Sequence, residues 1–355
     1  QEENCISTEK LRDIGKFITT YCDEYKIANI SVQAWGGEPL LEKNKIIALT
    51  KFITPQKTKV HYSIETNATL LTNDVIEELY KNHIGIGISI DGDRKCHDLQ
   101  RTFVSGKGSY DTVKKNLLQA QRYYKNKIGT ITTITKQTAV HIEKIIEHLV
   151  LDLHISNIKL NFVHASTYTH GQNQCLNTQE IADTELRILY KIIELQERGY
   201  DVMEHNIFIK LKNLLFREYT DICLSCGCCG GKKMIVFDMD GNIYPCELTD
   251  DASFVIGSIY KKESLIEQIK MTIDKDKAFF KMKKAVECEK CYWKFFCRGG
   301  CTVRALSEKR QMEVIDIDHI ECAINQVLYP ALMELVLRKP HIVNQMLGED
   351  LLVDE

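Results

Sequence analysis

Proline is scarce in this chain, five in 355 residues, and no apolar run reads as long enough to span a bilayer. An excess of one charge is also missing. Against 46 Lys and Arg stand 49 Asp and Glu, a formal net charge of -3. That balance offers no basic footprint for nucleic acid and no polybasic membrane anchor. The N-terminus shows no signal-peptide pattern, so a cytoplasmic protein with reduced thiols is expected. At 44% hydrophobic and 27% charged, the composition is globular, and the length allows roughly one to three domains.

The first two hundred residues alternate in type. A helix from about Ser7 to Tyr25 leads to the apolar strand ISVQAW, and the strands KVHYSIET, IGIGISI, IGTITTIT and ISNIKLNFVHA follow. Helical stretches such as NDVIEELYKN and HIEKIIEHLV separate them. Short buried strands separated by helices indicate a parallel sheet with crossover helices. Five strands preceded by a helix read as a partial (β/α)6 TIM-type barrel without its first strand. From about Cys223 the chain changes to short strands, a DG turn in FDMDGNIYPC and dense cysteine. Expected boundaries are a barrel over 1–220, a small cysteine-rich domain over 221–330 and a C-terminal helix and tail over 331–355.

Cysteine is what the chain has in quantity: fourteen residues, four scattered (Cys5, Cys22, Cys96, Cys175) and ten between Cys223 and Cys322. A secreted disulfide scaffold would be shorter and loop-rich. Cys288, Cys291, Cys297 and Cys301 make C-x2-C-x5-C-x3-C, Cys322 follows, Cys246 ends GNIYPC, and CLSCGCC supplies Cys223, Cys226, Cys228 and Cys229. A four-cysteine zinc ribbon from two C-x2-C pairs is the competing reading, and it leaves six of the ten cysteines unexplained. Two 4Fe–4S clusters held by protein need eight thiolates, which this module can supply. Tyr292, Trp293, Phe295 and Phe296 are placed either to shield a cluster or simply to pack.

Three stretches sit at expected strand C-termini: WGGEPLL, IETNATLL and ISIDGD, the last followed by HDLQRTFVSGKGSY. Glycines let backbone approach a ligand, Glu38 can accept from an ammonium group, and Ser89 and Asp91 can meet polar ends of the same molecule. In this order, and with the cysteine pattern behind them, these stretches resemble the radical S-adenosylmethionine enzymes with a C-terminal SPASM domain. The resemblance covers nearly the whole chain. It implies S-adenosylmethionine bound by Gly36, Gly37, Glu38, Pro39, Thr66, Asn67, Ser89 and Asp91. It also implies one auxiliary 4Fe–4S cluster on Cys288, Cys291, Cys297 and Cys322. A second would sit on Cys228, Cys246, Cys301 and Cys226, with Cys223 or Cys229 as the replacement for Cys226.

One feature of the family is not in the sequence: C-x3-C-x2-C, the motif whose cluster cleaves the cofactor, a third cluster in a full-length enzyme. With Gln1 first and five strands visible, the expectation is a missing N-terminal segment and a chain unable to cleave the cofactor; the alternative is a natural non-cleaving homologue. The reaction implied is hydrogen abstraction by a 5′-deoxyadenosyl radical on a peptide or protein, with an electron donor such as flavodoxin or ferredoxin. The first expectation is a thioether crosslink in a ribosomally made Cys-rich peptide, under anaerobic conditions. The alternatives are anaerobic sulfatase maturation, in which Cys or Ser becomes formylglycine and Glu247 is the nearest candidate base, and a non-catalytic iron–sulfur scaffold or electron carrier.

Overall fold

In the computed structural model, residues 5–164, 172–216, 228–249, 252–274, 286–307 and 317–348 are described. Six strands form one parallel sheet in sequential order: β1 (Asn29–Ala34), β2 (Lys59–Thr66), β3 (Ile84–Ser89), β4 (Gly129–Ile134), β5 (Asn157–Phe162) and β6 (Met203–Glu204). The helices before, between and after them are α1 (Thr8–Glu24), α2 (Lys43–Phe52), α3 (Asn73–Lys81), α4 (Arg94–Gln100), α5 (Tyr110–Tyr124), α6 (Lys136–Ala139), α7 (Ile142–Glu147), α8 (Thr178–Glu197) and α9 (His205–Phe216). The five expected strands are all present. The sixth has two residues, too few to carry an alternation that sequence could reveal.

Capping residues set the helix ends. The Ser7 side chain accepts from Lys10 N, and Asn177 and Glu180 exchange bonds in a capping box at α8. One large core fills the space between sheet and helices. Ile64, Ile86 and Ile88 of the sheet join Ile76, Leu117, Ile145 and Ile188 of the helices.

Strand parity then sorts the other face. With Ile84, Ile86 and Ile88 buried, Gly85, Gly87 and Ser89 fall on the opposite side. The register aligns them with Ser63 and Glu65 of β2 and with Gly129 and Ile131 of β4. Lys159 and Asn161 continue this row on β5. Apart from Ile131, a row of small and polar residues thus lines one face of the sheet.

The cysteine-rich part has a small antiparallel sheet of β7 (Val236–Phe237), β8 (Asn242–Tyr244) and β9 (Gly257–Ser258). The expected C-terminal helix is longer than LYPALMELVL: it runs His319–Arg338 with Pro330 inside. By length and hydropathy alone it is long and apolar enough to cross a membrane, a point the sequence reading missed. In the fold it lies along α8, and its Leu328, Leu332 and Leu335 join the main core. Most of the lysine-rich KDKAFFKMKKAVEC lies outside the described residues.

Candidate functional site

The loop after β1 is organised by one carboxylate. Glu38 caps a short turn over Pro39–Glu42, where Pro39 supplies the fixed φ that a first helical position tolerates. Glu38 Oε1 accepts from Thr66 Oγ1 at 2.6 Å and from Leu40 N at 3.1 Å; Oε2 accepts from Asn67 N at 2.8 Å. Glu38 therefore ties the GGEP loop to the end of β2. Thr66 is buried and also accepts from Ala68 N, while Asn67 Oδ1 accepts from Thr69 N and Thr69 Oγ1. These two side chains brace the loop. Beside them, a Cβ built at Gly36 or Gly37 would meet nothing within 4 Å, so the exposed backbone here is open to a ligand.

Asp91 is different from what its motif suggested. It is 1% exposed, and its carboxylate accepts from Gln100 Nε2, Arg101 Nε, Arg101 NH2 and Thr133 N. Four donors fill its acceptor capacity. The expectation that it contacts the cofactor is corrected: Asp91 anchors α4 and β4 to the end of β3. Gly92 is a packing glycine at φ +100°, whose Cβ would strike Ile145 Cγ1 at 2.7 Å. His97 completes this brace, with Nδ1 accepting from Asp91 N and Nε2 paired to Ser109 Oγ. Burial pulls its pKa down to about 4. Ser89 ends β3 on the small-residue face, partly exposed. The sequence reading also missed Gln100, Arg101 and Thr133 as partners. HDLQR gave the segment but not the target, because Gln100 and Arg101 end α4 whereas Thr133 comes from β4.

The cysteines separate into two groups. Cys288, Cys291, Cys297 and Cys322 line one cavity of about 120 Å³. Cys228, Cys246 and Cys301 form the other: burial pushes the Cys246 thiol up to about 12, and both neighbouring thiols oppose its ionisation. Burial also raises Cys297, Cys301 and Cys322. A bound iron supplies the opposite pull, because a coordinating thiol is deprotonated by its metal. Among the described residues, no three His, Cys, Asp or Glu side chains converge closely enough for one ion. A tetrahedral zinc site gathers its ligands on one point, whereas a 4Fe–4S cube takes each thiolate on a different iron. The four-cysteine cavity suits the cube.

Cys223 and Cys226 lie outside the described residues. Cys229 is buried and disulfide-bonded, and a sulfur so engaged has no thiolate to offer. Of the four aromatics, Trp293 stacks on Tyr329 and Phe296 packs against the same ring, while Tyr292 and Phe295 are exposed at 95% and 70%. Shielding of the cavity thus falls to Trp293. Glu247 follows Cys246, and its Oε2 is buried with no hydrogen-bond partner among the described residues.

Residues 9–149 match the family model described as the Radical SAM superfamily. A cysteine-type anaerobic sulfatase-maturating enzyme of Clostridium novyi (strain NT) is 26% identical over 273 residues, 75% of this chain and 71% of its own. A serine-type anaerobic sulfatase-maturating enzyme of Bacteroides thetaiotaomicron is 24% identical over 308 residues, covering 81% and 72%. Among solved structures, native anSMEcpe with bound AdoMet and Cp18Cys peptide superposes with a TM-score of 0.80 at 20% identity, over 94% of this chain and 92% of that one.

Proposed function

We propose that this chain, a radical SAM enzyme, matures a peptide or protein by oxidising a Cys or Ser side chain to formylglycine. The relatives named above are cysteine-type and serine-type anaerobic sulfatase-maturating enzymes, which favours this reading over the first expectation of a thioether crosslink. The observation that carries it is the buried Oε2 of Glu247 beside Cys246, which has no hydrogen-bond partner among the described residues. A buried acceptor left without a donor costs about 1–3 kcal/mol, so an arriving substrate thiol or hydroxyl is the partner it lacks.

S-adenosylmethionine, when bound and reductively cleaved, supplies the radical that removes a hydrogen atom from substrate. The residues of this chain do the rest. Gly36 and Gly37 leave room at the loop, and Glu38 receives the ammonium group on its remaining acceptor site. Glu247 takes the proton from the substrate thiol or hydroxyl, which lets the radical carbon lose its remaining electron; Ser then becomes the aldehyde directly, and Cys becomes a thioaldehyde that water converts to the aldehyde with release of hydrogen sulfide. Cys288, Cys291, Cys297 and Cys322 would hold one auxiliary cluster. Cys228, Cys246 and Cys301, with Cys226 as their fourth partner, would hold the other, so an electron has somewhere to go. A low-potential carrier such as flavodoxin or ferredoxin completes the circuit.

The test is a form of the protein that carries the C-x3-C-x2-C motif, which this sequence lacks, purified and reconstituted anaerobically, then given S-adenosylmethionine, reductant and a peptide containing Cys or Ser. An aldehyde captured by a hydrazide probe, lost in Glu247→Gln with iron content unchanged, supports the proposal. A product lighter by two hydrogens that ignores the probe identifies thioether formation instead.

A further inference from the structure

The His319–Arg338 helix carries Cys322, Asn325 and Gln326 at i, i+3 and i+4, one face of one turn. That face lines the four-cysteine cavity. Gln326 Nε2 donates to Cys291 Sγ at 3.7 Å and also hydrogen-bonds the Cys322 thiol. Asn325 is 2% exposed and its side chain hydrogen-bonds the Cys297 thiol.

Which end of the Asn325 amide faces the sulfur is decided by the barrel. Lys210 of α9, 1% exposed, donates from Nζ to Asn325 Oδ1 at 2.6 Å and to a Glu321 carboxylate oxygen. An ammonium group has donors only, so it takes the carbonyl end and turns Nδ2 away. Nδ2 then donates to Glu321 Oε1 at 3.1 Å and remains the only end available to Cys297. Burial alone would lower the Lys210 pKa, yet the net shift is upward, with the facing Glu321 carboxylate the largest opposing influence. A fixed positive charge in one part of the chain thereby orients a sulfur contact in the other.

We propose that Asn325 and Gln326 set the reduction potential of the auxiliary cluster on Cys288, Cys291, Cys297 and Cys322, with Lys210 as the positioning residue that orients Asn325. This rests on the cluster assignment above. Donors to the thiolates stabilise the more negative, reduced cluster and raise its potential, and the Lys210 charge acts in the same direction against the adjacent Glu321 carboxylate. A cluster that must accept an electron from a product radical gains from that direction of tuning.

The experiment is a redox titration of the reconstituted full chain, followed by electron paramagnetic resonance, with Cys322→Ala identifying which signal belongs to this site. Gln326→Leu and Lys210→Met are each expected to bind the parent amount of iron and sulfide. Each should lower the reduced-to-oxidised ratio at a fixed potential by about tenfold, or about 59 mV for a one-electron couple. Lys210→Arg, which keeps a charged donor, should restore the parent value. Gln326 is exposed, so its variant folds whatever happens at Lys210, and an unchanged potential there overturns the proposal by itself. Absence of iron and sulfide from the parent chain is a separate outcome: it removes the cluster assignment, and the proposal with it.

Discussion

Replacing Glu38 by Gln separates the two jobs assigned to this side chain. A carboxylate has about four acceptor sites, and Thr66, Leu40 and Asn67 fill three of them. The fourth, on Oε2, is the one left for an ammonium group. Gln keeps the shape but turns one oxygen into a donor. If the new NH2 replaces Oε2 it faces Asn67 N–H; if it replaces Oε1 it faces Leu40 N–H. Either way one backbone donor loses its acceptor, which costs about 1–3 kcal/mol, read by urea unfolding. Loss of the charge also removes a hydrogen bond to an ionised partner, worth about 1.5–3 kcal/mol, or roughly tenfold to 150-fold in S-adenosylmethionine affinity. Calorimetric titration of parent and variant measures it. A variant that loses stability yet binds S-adenosylmethionine as tightly as the parent would refute the ammonium role and leave Glu38 as a brace. A variant of unchanged stability would refute the brace.

Two other outcomes follow from buried groups. His97 titrates near 6.5 when unfolded and at about 4 when folded, a depressed folded value. Its contribution is therefore complete above pH 6.5 and lost as pH falls toward 4, about 3 kcal/mol in all; urea unfolding across that window should show the slope, and His97→Gln should flatten it. Gly300→Ala, at φ +68°, would drive a Cβ to 2.7 Å from Asp318 Oδ2 and 3.0 Å from Glu321 Cβ. A loss of more than about 1 kcal/mol and a lower iron content per chain are expected, with iron retained at parent level counting against the reasoning.

The strands were legible because each carries an apolar stretch bounded by turn residues; IGIGISI announces both its buried isoleucines and its bare opposite face. Met203–Glu204 is read as a strand only through its pairing with Asn157 and Ile158, which no local pattern encodes. GGEP and SIDG were visible as loops at strand ends, but their acidic residues look alike in sequence. What separates them is the number of donors that tertiary structure brings: Glu38 keeps an acceptor site, whereas Asp91 is saturated by residues from α4 and β4. Cysteine spacing announced the module, and the family resemblance implied its division into two sets. Lys210 and Asn325 are 115 residues apart, and nothing near either of them signals the other.

The position of Cys322 has a consequence for how the protein is made. Its cavity partners, Cys288, Cys291 and Cys297, leave the ribosome earlier, while Cys301 of the other set is synthesised between them and Cys322. Chains fold from the N-terminus as they emerge, at about 5–20 residues per second, so the sheet and its first helices have time to form before the last sulfur exists. That sulfur arrives on the same helix that lays Leu328, Leu332 and Leu335 into the main core. A cluster on these four cysteines would therefore be completed only once the helix that closes the core has been made.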